Sequence, residues 1–460
     1  MMTQQSYSSH FRATLALGLP LIGSNIAQFG LHVTDTVMLG WYSVPALAAV
    51  VLAASTFFSI FILGSGFALA VMPMVAGAIG AGQPTEVRRV ARMGLWLSVL
   101  FGICTYPAMW WSGGLLRALG QAPDIAELAQ GYLRIAGLGM IPALLVMVLK
   151  SYLAALERTQ AVLWTTVAAV GLNIVVNWAL IFGNWGAPEL GLQGAAIASV
   201  VVQMATLIVL ANYAHRLPAL RQYALFQRMW RPDWPAFGRV FRLGWPIGLT
   251  GLAESGLFTA SAIMMGWVGT QELAAHGIAL EISALTFMVH LGLSNAATVR
   301  AGRAHGEGDM PHLRRAAAAA ILLSLAVGIV VIVIYLTLPE FIISLFLSPD
   351  EPQRAAIIAI GTALLVMSAL FQFADAGQVM VLGLLRGLQD TRVPMIMASV
   401  SYWLIGIPAS YVLGFTLGFG GVGIWGGLVI GLVAAAVMLS LRLWHFLRQD
   451  PARTGPNGVA

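Results

Sequence analysis

Twelve separate runs of this chain are each long and apolar enough to cross a lipid bilayer as a helix. They fall at roughly 12–40, 46–80, 90–112, 128–154, 160–184, 191–214, 240–267, 272–300, 315–338, 355–386, 393–417 and 422–446. About 20 residues in a helix span the roughly 30 Å of hydrocarbon. Composition agrees: 59% of the residues are hydrophobic, 9% are charged and the mean hydropathy is +0.85, where a soluble chain carries about 25% charged residues. The expected fold class is an all-α polytopic membrane protein with twelve transmembrane helices.

The opening MMTQQSYSSHFR is polar, and the first apolar run is too long for a signal-peptide core, so this run is expected to stay as the first helix. Cys104 is the lone cysteine; it leaves no intrachain disulfide and reads as a small buried hydrophobe. Basic residues set the orientation. With the first helix entering from the cytoplasm, 21 of the 24 lysines and arginines lie on that side and three, Arg117, Arg134 and Arg354, on the other. Both termini are therefore expected in the cytoplasm. The net charge of +6 needs no nucleic-acid partner, because topology and anionic lipid headgroups account for it.

The chain repeats itself. LGLPLIGSNIAQFGLHVTDTVMLG at Leu17–Gly40 returns as LGWPIGLTGLAESGLFTASAIMMG at Leu243–Gly266, at an offset of 226 residues, with Pro20 falling on Pro246 and Gly40 on Gly266. The turn after the second helix returns at the same offset, with Gly82 on Gly308, Arg88 on Arg314 and Arg89 on Arg315. The expected organisation is an N-terminal lobe of helices one to six (1–214), a cytoplasmic linker (215–239), a C-terminal lobe of helices seven to twelve (240–448) and a polar tail (449–460). Six spans per half give both halves one orientation, as in parallel repeats related by an axis along the membrane normal.

Polar residues inside these helices are the functional signal, since ionisable groups in a span are costly to keep. Helix one is expected to bend at Pro20, which removes an intrahelical bond. Below it Asn25, Gln28, His32 and Asp35 make one polar stripe at helical spacing. On helix five, Asn173 and Asn177 lie one turn apart and can offer neutral oxygens beside Asp35, ligands that a hard cation accepts. The second half holds Glu254 on helix seven, Glu281 on helix eight and Asp375 on helix ten, the last with Phe371 one turn before and Gln372 beside it. Four embedded acids with no embedded arginine or lysine must take up a proton or a mobile cation. Glu157 with Arg158, and Asp390 with Arg392, are expected as surface ion pairs. There is no GxxxxGK[ST] loop, no HExxH helix and no Cys/His cluster, which disfavours an enzyme.

These fragments in this order resemble the multidrug and toxic compound extrusion (MATE) family, in its NorM-type branch. The resemblance is carried by LGLP with Asp35 below it, LGWPIGL with Glu254, LAAHGIAL, DAGQVMVLGLLRGLQDT from Asp375, and GLQGAA at helix six. It implies a V-shaped pair of six-helix lobes with a cavity between them. It also implies an antiporter of the bacterial inner membrane that exports cationic, amphiphilic small molecules in exchange for H⁺ or Na⁺, with no other cofactor, as a monomer. By the same resemblance, Asp35 with Asn173 and Asn177 is the first-lobe cation or proton site. Glu254 and Asp375 are the second-lobe acids, and Pro20 is the bending proline. Gln28, His32, Glu281, Phe371 and Gln372 are auxiliary or substrate-facing candidates. Two departures stand out: Phe371 replaces a familiar tyrosine and can offer only a cation–π contact, and Glu281 is an extra acid. The competing readings are a flippase for lipid-linked precursors, which wants a cationic cavity and finds no midspan arginine, and a non-transporting scaffold or receptor, which leaves the acids' desolvation unexplained.

Overall fold

The computed structural model describes residues 7–349 and 352–448; the polar tail expected at 449–460 lies outside them. Among the described residues, twelve helices are long and apolar enough to span a membrane: α1 Tyr7–Tyr42, α2 Pro45–Gly80, α3 Pro84–Trp110, α4 Pro123–Ala155, α5 Thr159–Phe182, α6 Gly191–Arg216, α7 Trp234–Val268, α8 Thr270–Glu307, α9 Met310–Thr337, α10 Arg354–Gly387, α11 Arg392–Thr416 and α12 Gly420–Arg448. No strand occurs among the described residues. α4 changes winding at the 3₁₀ turn Gly137–Gly139. α11 contains two π-helical stretches, Val400–Gly406 and Val412–Thr416. They flank Pro408, whose missing N–H disturbs the regular ladder.

Local chemistry sets the ends. Ser43 accepts a bond from the Ala46 N–H at 3.2 Å at the start of α2, and Asp309 caps α9 by accepting from the His312 N–H at 2.9 Å. The repeated turn survives as geometry: Gly82 and Gly308 both sit at positive φ, 67° and 71°, a conformation that favours glycine.

The helices pack as two compact units. One is Gly23–Gly248; the other combines the chain up to Ile22 with the chain from Leu249 onward. The expected boundaries followed sequence order, whereas packing assigns the opening of α1 to the C-terminal unit and the opening of α7 to the N-terminal one. The cuts fall inside continuous helices, two residues after Pro20 and after Pro246, and are 226 residues apart. Each unit shows why. In the N-terminal unit, a Cβ on Gly66 of α2 would collide with the backbone of Gly244 and Gly248 on α7. In the C-terminal unit, a Cβ on Gly292 of α8 would sit 2.6 Å from the backbone nitrogen of Ile22 on α1. Gly66 and Gly292 are again 226 residues apart, so one backbone-to-backbone contact is made twice, and only glycine permits it.

Three expectations need correction. Cys104 is exposed, on a face of α3 with Leu100 and Ile103; a lipid-facing surface is as apolar as a core, so hydropathy cannot separate the two. Asp390 pairs with Arg442 of α12 at 2.8 Å, not with Arg392. Basic groups also reach inward: Arg300 is buried and donates to the His10 carbonyl and to Thr14 Oγ1, and Lys150 Nζ donates to Gln28 at 3.0 Å. Long basic side chains bury their stems and travel several ångströms from their backbone position.

The linker is fastened to α3. Arg89 grips Asp233 in a two-pronged bond, Nε at 2.5 Å and Nη2 at 3.0 Å, and Trp96 donates to the Met229 carbonyl at 2.7 Å. The Arg89 guanidinium pulls the Asp233 carboxyl down to about 2. In the other half, Arg314 donates through Nε and Nη2 to the Leu447 carbonyl near the end of α12.

Candidate functional site

Two groups of side chains, one in each unit, gather around the embedded acids. In the N-terminal unit α1 delivers Asp35, α5 delivers Asn173 and Asn177, and α6 delivers Ser199. Asp35 Oδ1 accepts from Asn177 Nδ2 at 2.6 Å and from Asn173 Nδ2 at 3.1 Å. Its Oδ2 accepts from Ser199 Oγ at 3.3 Å. The asparagines also bond each other, Asn177 Nδ2 to Asn173 Oδ1 at 3.2 Å. Their spacing of four residues puts both on one buried face of α5. All three donors are neutral, and no ion pair involves Asp35 among the described residues. Along the stripe, Gln28 is occupied by Lys150, while His32 is exposed and is not brought to the carboxylate by any hydrogen bond.

In the C-terminal unit α7 delivers Glu254 and α10 delivers Asp375 and Gln378, with Tyr402 from the first π stretch of α11. Asp375 is 1% exposed, and neither of its carboxylate oxygens has a protein partner. Glu254 Oε1 is likewise buried without one. The two acids lie within electrostatic range of each other. Gln378 neighbours Glu254, and its Nε2 donates to the Tyr402 hydroxyl. Arg386, near the end of α10, is the positive charge that Glu254 senses, without forming an ion pair.

The auxiliary candidates divide. Gln372 is buried and donates to the Ser283 carbonyl at 3.2 Å, leaving its own Oε1 unpartnered. Phe371 is buried and makes T-shaped ring contacts with Trp425 and Phe258, with ring centroids at 5.6 and 6.0 Å, so the ring belongs to the core packing. Glu281 is exposed: it stands off the buried face of α8 that carries His276 and His290. It remains within the α8 span but has no hydrogen bond or ion pair that joins it to the other acids.

Sequence reasoning missed Ser199, Gln378 and Tyr402. Ser199 ends the small-residue run GLQGAAIAS, which reads as close helix packing. Gln378 lies three residues beyond Asp375, on the same helix face, and that spacing could have flagged it. Nothing in SYWLIGIP singles out Tyr402, because the π winding that turns it inward is not written in hydropathy. No group of three or more His, Cys, Asp or Glu side chains able to hold a metal occurs among the described residues.

The repeat is also the unit in which this chain is similar to known proteins. A family model described as MatE matches residues 20–179 and again residues 246–412, beginning at Pro20 and at its repeat partner Pro246. The probable multidrug resistance protein NorM of Rhizobium meliloti (strain 1021) is 45% identical over 450 residues, covering 98% of this chain and 96% of that protein. The protein of the same name from Agrobacterium fabrum (strain C58) is 44% identical over 445 residues, covering 97% and 96%. Among solved structures, the eukaryotic MATE transporter AtDTX14 superposes with a TM-score of 0.87 at 20% identity over 97% of both chains. A MOP superfamily transporter from Pyrococcus furiosus superposes at 0.86 with 22% identity, over 95% of this chain and 96% of the other. At such identities these structures speak for the fold. With the family model matching each half in turn and relatives matching almost end to end, this chain belongs to the MATE family of multi-pass membrane transporters.

Proposed function

We propose that the protein is a secondary active multidrug efflux antiporter of the bacterial inner membrane, with both termini in the cytoplasm. It acts as a monomer and exports cationic, amphiphilic small molecules in exchange for H⁺ or Na⁺. One observation carries this reading: Asp375 is a buried carboxylate with both oxygens unpartnered. Burying an ionised carboxylate without partners is expensive, and truncating or losing a partner of a buried charge typically costs several kcal/mol. A proton, or a mobile cation, removes that penalty each time it binds and restores it each time it leaves. The multidrug names of the NorM relatives support the substrate class.

The first-unit site works differently. Amide groups of Asn173 and Asn177 donate to Asp35, and either amide can turn to present its oxygen instead. Asp35 with Asn173, Asn177 and Ser199 would then offer a carboxylate and neutral oxygens, the donor set of a hard cation such as Na⁺. Asp375, with neither oxygen hydrogen-bonded, and Glu254 beside it suit a proton. Coupling follows from differential affinity: an ion that binds one conformation more tightly shifts the population toward it, and a ligand with equal affinity for both shifts nothing. Pro20 and Pro246, each two residues from a unit boundary, are the proposed points at which the helices yield.

The decisive measurement is substrate efflux by purified protein in proteoliposomes under a Na⁺ gradient alone and under a pH gradient alone. Either gradient driving uphill ethidium export supports the antiporter. Export unaffected by both gradients, or unchanged in Asp35→Asn, Glu254→Gln and Asp375→Asn alike, would remove the basis for it.

A further inference from the structure

The linker and the start of α3 enclose a cleft of about 490 Å³ walled by Arg88, Arg89, Arg92, Arg228 and Arg231, with Asp233 the one acid in its lining. The guanidiniums are not equivalent. Arg89 is fully spent on Asp233 and Glu86. Arg92 is only 7% exposed. Its Nη1 donates to the Arg228 carbonyl at 3.2 Å, its Nη2 reaches Asp233 only at 3.9 Å, and its buried Nε has no partner. Arg88 is held by Gln227 at 2.8 Å. Arg228 and Arg231 are exposed, with no ion-pair or hydrogen-bond partner for their guanidiniums.

Fixing so many like charges around one cleft is unfavourable unless an anion shares them. The backbone is arranged for the purpose: Arg228 adopts a left-handed conformation at φ 57°, a strained choice for a long side chain, and this turns its carbonyl to Arg92. The cleft also opens at the first turn of α3, where Thr85 lines it beside Pro84 and helix N–H groups favour negative charge. Flanking it, Trp230 and Trp234 are 77% and 65% exposed. Tryptophans so placed, next to arginines and at the ends of membrane-spanning helices, belong at headgroup level.

We infer that this arginine cleft binds the phosphate headgroup of an anionic phospholipid from the leaflet on the linker's side, with Arg92 at its floor and Arg228 and Arg231 at its mouth. The site is independent of the acids that serve transport and stands whether or not the antiport reading does. Planar guanidiniums suit phosphate oxygens in pairs, and the two tryptophans favour a ligand that brings an acyl surface with it.

The test uses the full chain purified in detergent, with binding followed by native mass spectrometry on titration with dioleoyl-phosphatidylglycerol, dioleoyl-phosphatidylcholine or millimolar inorganic phosphate. The double variant R228Q/R231Q is expected to lose roughly 30-fold in phosphatidylglycerol affinity, the scale of two arginines facing an anionic surface, with an unchanged melting temperature. R231Q alone, on an exposed turn, is expected to lose roughly fivefold. Phosphatidylglycerol affinity untouched by these variants, or phosphatidylcholine bound as tightly, overturns the proposal. So does an arginine-dependent occupancy by inorganic phosphate without a preference for the lipid, which would make the ligand a soluble phosphate compound.

Discussion

Asp35 accepts three hydrogen bonds from neutral side chains, whereas Asp375, in the other unit, accepts none. The two halves descend from one pattern, so the difference is informative. Aligned on Leu156–Thr159 and Leu388–Thr391, the asparagines of α5 fall on Ile405 and Ala409 of α11. α11 carries no amides at those positions; it instead departs from regular winding and brings Tyr402 to Gln378 of α10. One unit stabilises its charge with groups that can turn, and the other keeps its charge under tension. A carboxylate of the first kind suits a cation that needs several oxygens, and one of the second kind suits a proton.

The sharpest test removes each charge in turn. Asp375→Asn should cut ethidium efflux at least about tenfold, the scale of a lost coupling free energy, while melting temperature holds or rises because an unpartnered charge is gone. Asp35→Asn should lose efflux to the same degree and also lose about 1 kcal/mol of stability, because three hydrogen bonds to a carboxylate become weaker neutral ones. If both variants melted alike, the contrast between the sites would be lost. Next, N173I/N177A gives the first unit the residues of the second. Na⁺-driven export should disappear with pH-driven export retained, at about 1–3 kcal/mol of stability; retained Na⁺ drive would refute the division of ions.

Smaller effects probe what the halves share and where they differ again. Gly66→Ala and Gly292→Ala should each destabilise by about 1–3 kcal/mol through overpacking, measured as matching losses of melting temperature; a loss in only one would deny that the contact is made twice. The last comparison is one of acid sensitivity. Arg89 holds the linker by a carboxylate, while Arg314 holds α12 by a carbonyl. Asp233 is pulled below the usual carboxylate value of about 3.9, so its contribution is complete above that pH and is lost as pH falls toward about 2. Hydrogen exchange, corrected for its intrinsic pH dependence, should loosen in the linker over that window and not at the end of α12.

Much of this was legible in the residues. Twelve apolar runs became twelve helices, and acids at odds with their apolar surroundings marked α1, α7 and α10. What stayed hidden had physical reasons. Cys104 turns outward because periodicity says which residues share a face, not whether that face meets protein or lipid. Ser199 looked like packing, and Tyr402 depended on a change of helical winding. The partner of Asp390 arrives from Arg442, 52 residues on, beyond the reach of local pattern. Nor does an apolar helix record which unit each of its halves will join.

That last point bears on how the molecule is made. The opening of α1 is made before the linker, yet the α8 residues it packs against, Gly292 and Arg300, are made after it. Until then the leading end of α1 is an unmatched surface in the bilayer. Of two fragments produced separately by cutting the gene within 215–239, the first would carry the opening of the C-terminal unit and the second the close of the N-terminal one, and neither would be a complete unit by itself.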